Sequence, residues 1–194
     1  VPELLKQSSP VRDIRRDIEI VEKILEYHPN DSTYRRRLFQ YVNYANYAYD
    51  RVKSFAKPLS VTLTFIGQND RARQEAQGKF TTLQHKLSKK FERSKYKKRK
   101  HLSPCLAAME YDMNTRTHIH SIFDVPNKTL MGDYLKAIRT YWGNLGDMRL
   151  YKRNLNKKPH VEYSKFNSAE RSTSYILKLE SKDINEEFAS FIIA

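Results

Sequence analysis

Residues 104–125 read PCLAAMEYDMNTRTHIHSIFDV. Two runs rich in apolar residues, 104–112 and 117–125, flank the polar, turn-like MNTR, a pattern that predicts two antiparallel strands joined by a turn. Because side chains alternate along a strand, His118 and His120 are expected on one face and Ile119 on the other.

Two imidazoles on one face of a strand suit a metal ion, although two structural histidines would give the same pattern. Two protein ligands are too few, and a carboxylate is a common third. Glu110 on the preceding strand is the candidate, because directly opposite residues of an antiparallel pair share a face. A hairpin loop with an odd number of residues would place Glu110 beside a histidine, and a loop with an even number would place it on the other face. The sequence leaves this register open.

The rest of the chain predicts an α+β fold. Apolar residues at helical spacing predict an N-terminal helical hairpin within a first domain, 1–57. A run rich in β-branched residues then opens a second domain, 58–194, built on a five-stranded antiparallel sheet with flanking helices and an interior histidine strand. The strands are expected at 59–65, 104–112, 117–125, 148–153 and 160–165, and the later helices at 70–95, 130–142 and 169–181, the last capped by Asn167 or Ser168.

The charge balance indicates the kind of partner. The 194 residues include 36 Lys and Arg against 22 Asp and Glu, a formal net charge of +14, which favours nucleic acid or an anionic membrane surface. No run approaches the roughly 20 apolar residues of a membrane span. Cys105 is the only cysteine, which excludes an internal disulfide and suits a reducing cytoplasm. Since the sequence begins at Val1 and ends on FASFIIA, we expect it to be a fragment of a longer chain.

A basic run, KKFERSKYKKRK at 89–100, is the densest cluster of positive charge. It is either a solvated helix end or a surface that contacts the DNA backbone, and the net charge of the chain favours DNA. The predicted DNA-binding residues are Lys89, Lys90, Arg93, Lys95, Lys97, Lys98, Arg99 and Lys100.

The segment SYILK, residues 174–178, places Tyr175 and Lys178 on one side of a predicted helix. Tyrosine is a weak nucleophile at its ordinary pKa of about 10, but it forms covalent intermediates when a cation or metal assists. The ordinary alternative is a tyrosine that packs on the sheet.

Taken together, VTLTF, HIHSIF and YILK resemble, in this order, the three motifs of the HUH endonuclease superfamily. That superfamily includes rolling-circle replication initiators of phages and plasmids, conjugative relaxases and single-strand transposases. The resemblance covers residues 59–180 and implies a sheet of the RRM or ferredoxin-like kind. It also implies single-stranded DNA at a replication origin or hairpin as substrate, host replication proteins as partners and a bacterial cytoplasm as location.

By this resemblance, His118 and His120, with Glu110 as third ligand, would hold Mg²⁺ or Mn²⁺ at the scissile phosphate. Tyr175 would attack phosphorus, leaving a 5′-phosphotyrosine and a free 3′-OH, and Lys178 would help to place the phosphate. Since Arg171 lies four residues before Tyr175, the sequence looks like a single-tyrosine enzyme. The alternatives are a relaxase or transposase with the same chemistry, and a non-catalytic nucleic-acid-binding module with structural histidines.

Overall fold

The computed structural model describes residues 13–27, 32–65, 70–110, 117–145, 161–164, 166–177 and 191–193. These residues form helices and antiparallel strands, which confirms the α+β class. The helices are α1 (Ile14–Tyr27), α2 (Ser32–Lys53), α3 (Asp70–Phe91), α4 (Arg93–Arg99), α5 (Met131–Leu145) and α6 (Ala169–Leu177). The strands are β1 (Pro58–Phe65), β2 (Cys105–Glu110), β3 (Thr117–Asp124), β4 (Val161–Ser164) and β5 (Phe191–Ile193).

The described elements divide into two compact units. The sheet unit contains the strands together with α3, α4 and α5. The helical unit contains α1, α2 and α6, so the last helix belongs with the N-terminal helices. The predicted domain boundary after residue 57 stays a prediction.

In the sheet, hydrogen-bonded neighbours follow the order β4-β1-β3-β2-β5, and each pair is antiparallel. The histidine strand β3 lies between β1 and β2, which confirms its predicted interior position. The five strands that the sequence predicts, however, are not the same five strands that the structure describes. The predicted strand at 148–153 lies outside the described residues, and the short β5 at the sheet edge was not predicted.

The hydrophobic core of the sheet unit lies on one face of the sheet, under α3 and α5. Alternate residues of β1 face these helices because a strand exposes every second side chain to one side. The indole of Trp142 also donates a hydrogen bond of 3.0 Å to the Thr64 carbonyl, which ties α5 to β1. Core side chains include Leu59, Val61 and Leu63 from β1, Phe80 and Leu83 from α3, and Tyr134, Ile138 and Trp142 from α5.

The sequence predicts one helix over 70–95, but the structure breaks it at Glu92, between α3 and α4. The backbone of Glu92 leaves helical geometry, with φ −129° and ψ 39°. Its carboxylate accepts hydrogen bonds from Lys95, three residues on, and from Ser103, a more distant contact that a helical period cannot reveal. The prediction of a single continuous helix was therefore wrong.

In the helical unit, α1 and α2 contact each other and α6 contacts both. Ser168 caps α6, because its hydroxyl accepts a hydrogen bond of 3.2 Å from the Arg171 backbone N–H. The predicted N-terminal hairpin is not confirmed as such, since the connection at 28–31 lies outside the described residues. Within the described part of the chain, no helix combines the length and the apolar character needed to cross a membrane.

Candidate functional site

His118 and His120 occupy alternate positions of β3 on the face opposite the α3–α5 core. Their rings lie nearly parallel, with centroids 6.4 Å apart and an interplanar angle of 17°. His120 is buried, with 5% of its surface exposed, and His118 is half-buried. The strand therefore presents two imidazoles side by side with similar orientation.

Two threonines of β1 hold these rings. Thr62 lies opposite His120 and Thr64 lies opposite His118 in the strand register. The threonine hydroxyls are 3.1 Å and 3.3 Å from the Nδ1 atoms of their partners. When a histidine ligates a metal through one ring nitrogen, an oxygen on the other nitrogen fixes the tautomer and the ring orientation. Each imidazole therefore has a threonine hydroxyl beside its Nδ1 atom.

Glu110 pairs with His118 in the β2–β3 register. This is the register position that an odd hairpin loop predicts, so the two residues lie at directly opposite positions of adjacent strands. The Glu110 side chain lies outside the described part of the structure, and its role as third ligand stays a prediction. Among the side chains that are described, no three of His, Cys, Asp and Glu approach closely enough to hold a metal ion.

Tyr175 lies on α6 in the helical unit, whereas the histidine pair lies in the sheet unit. Tyr175 is 42% exposed, although its neighbours Ser174 and Ile176 are buried. The role of Tyr175 as nucleophile stays a prediction, as does the alternative of a tyrosine that packs on the sheet. Lys178 lies outside the described residues.

Helix α6 is attached to the N-terminal helices by side-chain hydrogen bonds. The Ser174 hydroxyl donates to the Asp17 carboxylate at 2.7 Å. The Glu170 carboxylate accepts bonds of 2.9 Å from Arg15 and from the Tyr49 hydroxyl. Its own backbone N–H, followed by the Tyr49 hydroxyl, holds the pKa of Glu170 at about 2. These contacts fix the helix that carries Tyr175.

The predicted DNA-binding residues are all exposed, but they are not equivalent. The Lys95 ammonium lies 2.9 Å from the Glu92 carboxylate in an ion pair. Five others line an open groove of about 560 Å³ together with Tyr96. The groove cations are Lys89, Lys90, Arg93, Lys97 and Lys100, whereas Lys98 and Arg99 do not line it.

The comparison with protein families identifies the chain. Residues 58–184, more than half of the sequence, match the model of the family described as Replication-associated protein ORF2/G2P. The chain belongs to this family. No curated protein and no solved structure matches it. Membership supports a role in DNA replication, and the matched span runs from β1 past α6, so it includes all three motif segments.

Two features of this replication-associated protein were missed by the sequence analysis. The first is the pair Thr62 and Thr64, whose alternation in VTLTF signals two hydroxyls on one face of a strand. The second is Glu162 on β4, which lies opposite Thr62 and so shares the histidine face. Its side chain is exposed. The alternation in VEYS shows that Glu162 and Val161 face opposite sides, but only the strand order shows which side carries the histidines.

Proposed function

We propose that this replication-associated protein is a metal-dependent, site-specific single-stranded DNA endonuclease of the HUH type that initiates rolling-circle replication. The observation that carries the proposal is the pair of parallel imidazoles on β3, each held at Nδ1 by a threonine. Family membership adds the biological setting of DNA replication. In this proposal the protein acts in the bacterial cytoplasm with host replication proteins.

His118 and His120 are the proposed histidine ligands of a divalent ion, Mg²⁺ or Mn²⁺, and Glu110 is the proposed third ligand. The donor set suits such an ion, because two imidazoles on one strand face are joined by a carboxylate-bearing residue opposite His118 in the register. When bound, the ion would supply positive charge that polarises the scissile phosphate.

Tyr175 is the proposed nucleophile. Its phenolic oxygen would form a bond to phosphorus while the bond from phosphorus to the 3′ oxygen breaks. The phenolic proton leaves to solvent and the 3′ oxygen takes up a proton, so the products are a 5′-phosphotyrosine and a free 3′-OH. Lys178 is proposed to contact the phosphate and stabilise charge in the transition state. The 3′-OH then primes DNA synthesis.

The proposal requires Tyr175 to reach the phosphate that the histidine face holds during the reaction. The exposure of its ring supports this role, because a nucleophile must be accessible to DNA. With Arg171 in place of a second tyrosine one turn earlier, strand closure would need a second protomer, water or reuse of Tyr175.

The test is covalent attachment to DNA. The protein is incubated with Mn²⁺ and an end-labelled pool of single-stranded DNA of random sequence, and the products are separated on a denaturing gel. We expect a protein–DNA band that is absent with a chelator, in Tyr175→Phe and in the double variant His118→Ala/His120→Ala. Arg171→Ala, one turn away on the same helix, serves as a matched control and keeps the band.

A non-catalytic nucleic-acid-binding module predicts a different outcome. It would bind DNA through its basic residues with no dependence on Tyr175 or on metal, and no covalent band would form with any DNA. That result, obtained with the random pool and with the replication origin, would contradict the nuclease proposal. A relaxase or transposase would give the same band, and it differs in the DNA that it selects from the pool.

A further inference from the structure

We infer that the basic groove between α3 and α4 binds the backbone of duplex DNA at a surface separate from the histidine face. The inference deepens the proposed nicking function, on which it rests for its biological context. It assigns to the sheet unit a second DNA contact, suited to the duplex that flanks a nicking site.

The groove lies at the end of the sheet away from His118. The Ser103 backbone N–H donates to the Ser88 hydroxyl of α3 at 2.9 Å, and Ser103 precedes β2 by two residues. The end of α3 is therefore held where β2 begins. His118 pairs with Glu110, where β2 ends.

The two sites also lie on opposite sides of the sheet. Helix α3 covers the core face, and the groove opens on exposed lysines beyond it, whereas the histidines lie on the other face. Five residues of strand span roughly 17 Å, and a packed layer adds about 10 Å. The groove and the His118 ring are thus separated by about 20 Å, or about six base pairs of duplex. A nucleotide held at the histidines cannot touch the groove.

The lining of the groove favours duplex over single-stranded DNA. Its five cations match a phosphate backbone, which is the main partner of lysine and arginine in duplex binding. Single-strand binding typically adds several aromatic rings on which bases stack. Among the described residues, Tyr96 is the one aromatic residue that lines the groove, and its ring packs edge-on against His85, with centroids 5.9 Å apart. The described lining of the groove therefore offers five cations and a single partly covered ring.

The structure provides a matched pair of variants. Arg93→Ala/Lys97→Ala removes one arginine and one lysine from the groove. Lys98→Ala/Arg99→Ala removes the same two charges from the same short helix, at residues that do not line the groove. No residue of α4 is buried, so neither double variant disturbs the core.

The experiment measures binding of the full chain by fluorescence anisotropy in EDTA, with a labelled 20-base-pair duplex of mixed sequence and with labelled dT20. We expect Arg93→Ala/Lys97→Ala to weaken duplex binding at least about tenfold at 0.1 M salt. The slope of log K against log salt should fall by about 1.8, since each lost phosphate contact removes about 0.9. The control pair should weaken binding by no more than about threefold.

Equal losses in the two double variants would overturn the inference, because they would show that net charge alone matters. A loss of dT20 binding as large as the loss of duplex binding would also overturn it, in favour of a single-strand site. The test is independent of nicking. If the covalent band never forms but the duplex results hold, only the proposed nuclease function is wrong. If the band forms but the duplex results are not obtained, only the proposed role of the groove is wrong.

Discussion

Removal of the Tyr49 hydroxyl should loosen the helix that carries Tyr175. In the structure this hydroxyl donates to Glu170 at 2.9 Å and accepts from Arg15 at 2.6 Å, on a side chain that is only 8% exposed. A hydrogen bond to a charged group contributes about 1.5–3 kcal/mol, and the partly solvated position of Glu170 places the expected cost near the lower value. Tyr49→Phe keeps the ring and its packing, so the hydroxyl alone is tested.

A cost of about 1.5 kcal/mol raises the population in which α6 is undocked about tenfold. Hydrogen exchange of the α6 backbone amides should therefore accelerate by about that factor. The measurement is made under conditions in which the exchange rate reports the opening equilibrium. Tyr47→Phe is the matched control, because Tyr47 lies on the same helix and its ring is 47% exposed. If Tyr49→Phe exchanges no faster than Tyr47→Phe, the hydroxyl does not hold α6, and the reasoning from these contacts fails.

Thr62→Val/Thr64→Val should weaken Mn²⁺ binding about 10- to 100-fold, measured by isothermal titration calorimetry. The control Thr140→Val, on the exposed side of α5, should leave the affinity unchanged, and equal Mn²⁺ affinities of the two variants would contradict the orienting role of the threonines. Because the folded-state pKa of Glu170, about 2, lies below its ordinary 4.5, it stabilises the fold above pH 4.5 and loses this contribution as pH falls towards 2. Thermal unfolding should therefore show a smaller Tm loss between pH 5 and 2 for Glu170→Gln than for the wild type, and identical pH profiles would refute this. Trp142→Phe should lower the free energy of unfolding in urea by about 1–3 kcal/mol, since it removes the bond to the buried Thr64 carbonyl, and an unchanged midpoint would contradict it.

Local periodicity predicts most of the secondary structure here. The alternation in THIHSIFD and VTLTF marks strands because one face of each packs on helices and the other does not. Strand β5 could not be predicted in this way, because three residues are too few to show a periodic pattern. The break at Glu92 could not be predicted from a local pattern either, because the Glu92 carboxylate contacts Ser103, a residue outside the helix.

The same distinction between local patterns and long-range contacts applies to the candidate site. The shared face of His118 and His120 follows from strand alternation, but the threonine partners require the β1–β3 register, which depends on a pairing between distant segments. The attachment of α6 to α1 and α2 also joins residues that are more than a hundred positions apart, such as Ser174 and Asp17. The motif residues were thus within reach of sequence reasoning, whereas the contacts that orient them were not.

The most direct test of the nicking proposal is to identify the residue that bears the DNA. The covalent complex formed with Mn²⁺ is digested with nuclease and trypsin, and the peptides are sequenced by mass spectrometry. We expect a nucleotide phosphate on Tyr175, joined through its 5′ oxygen to the sugar. A modification on any other residue, or an unmodified Tyr175 peptide from a complex that survives denaturation, would contradict it.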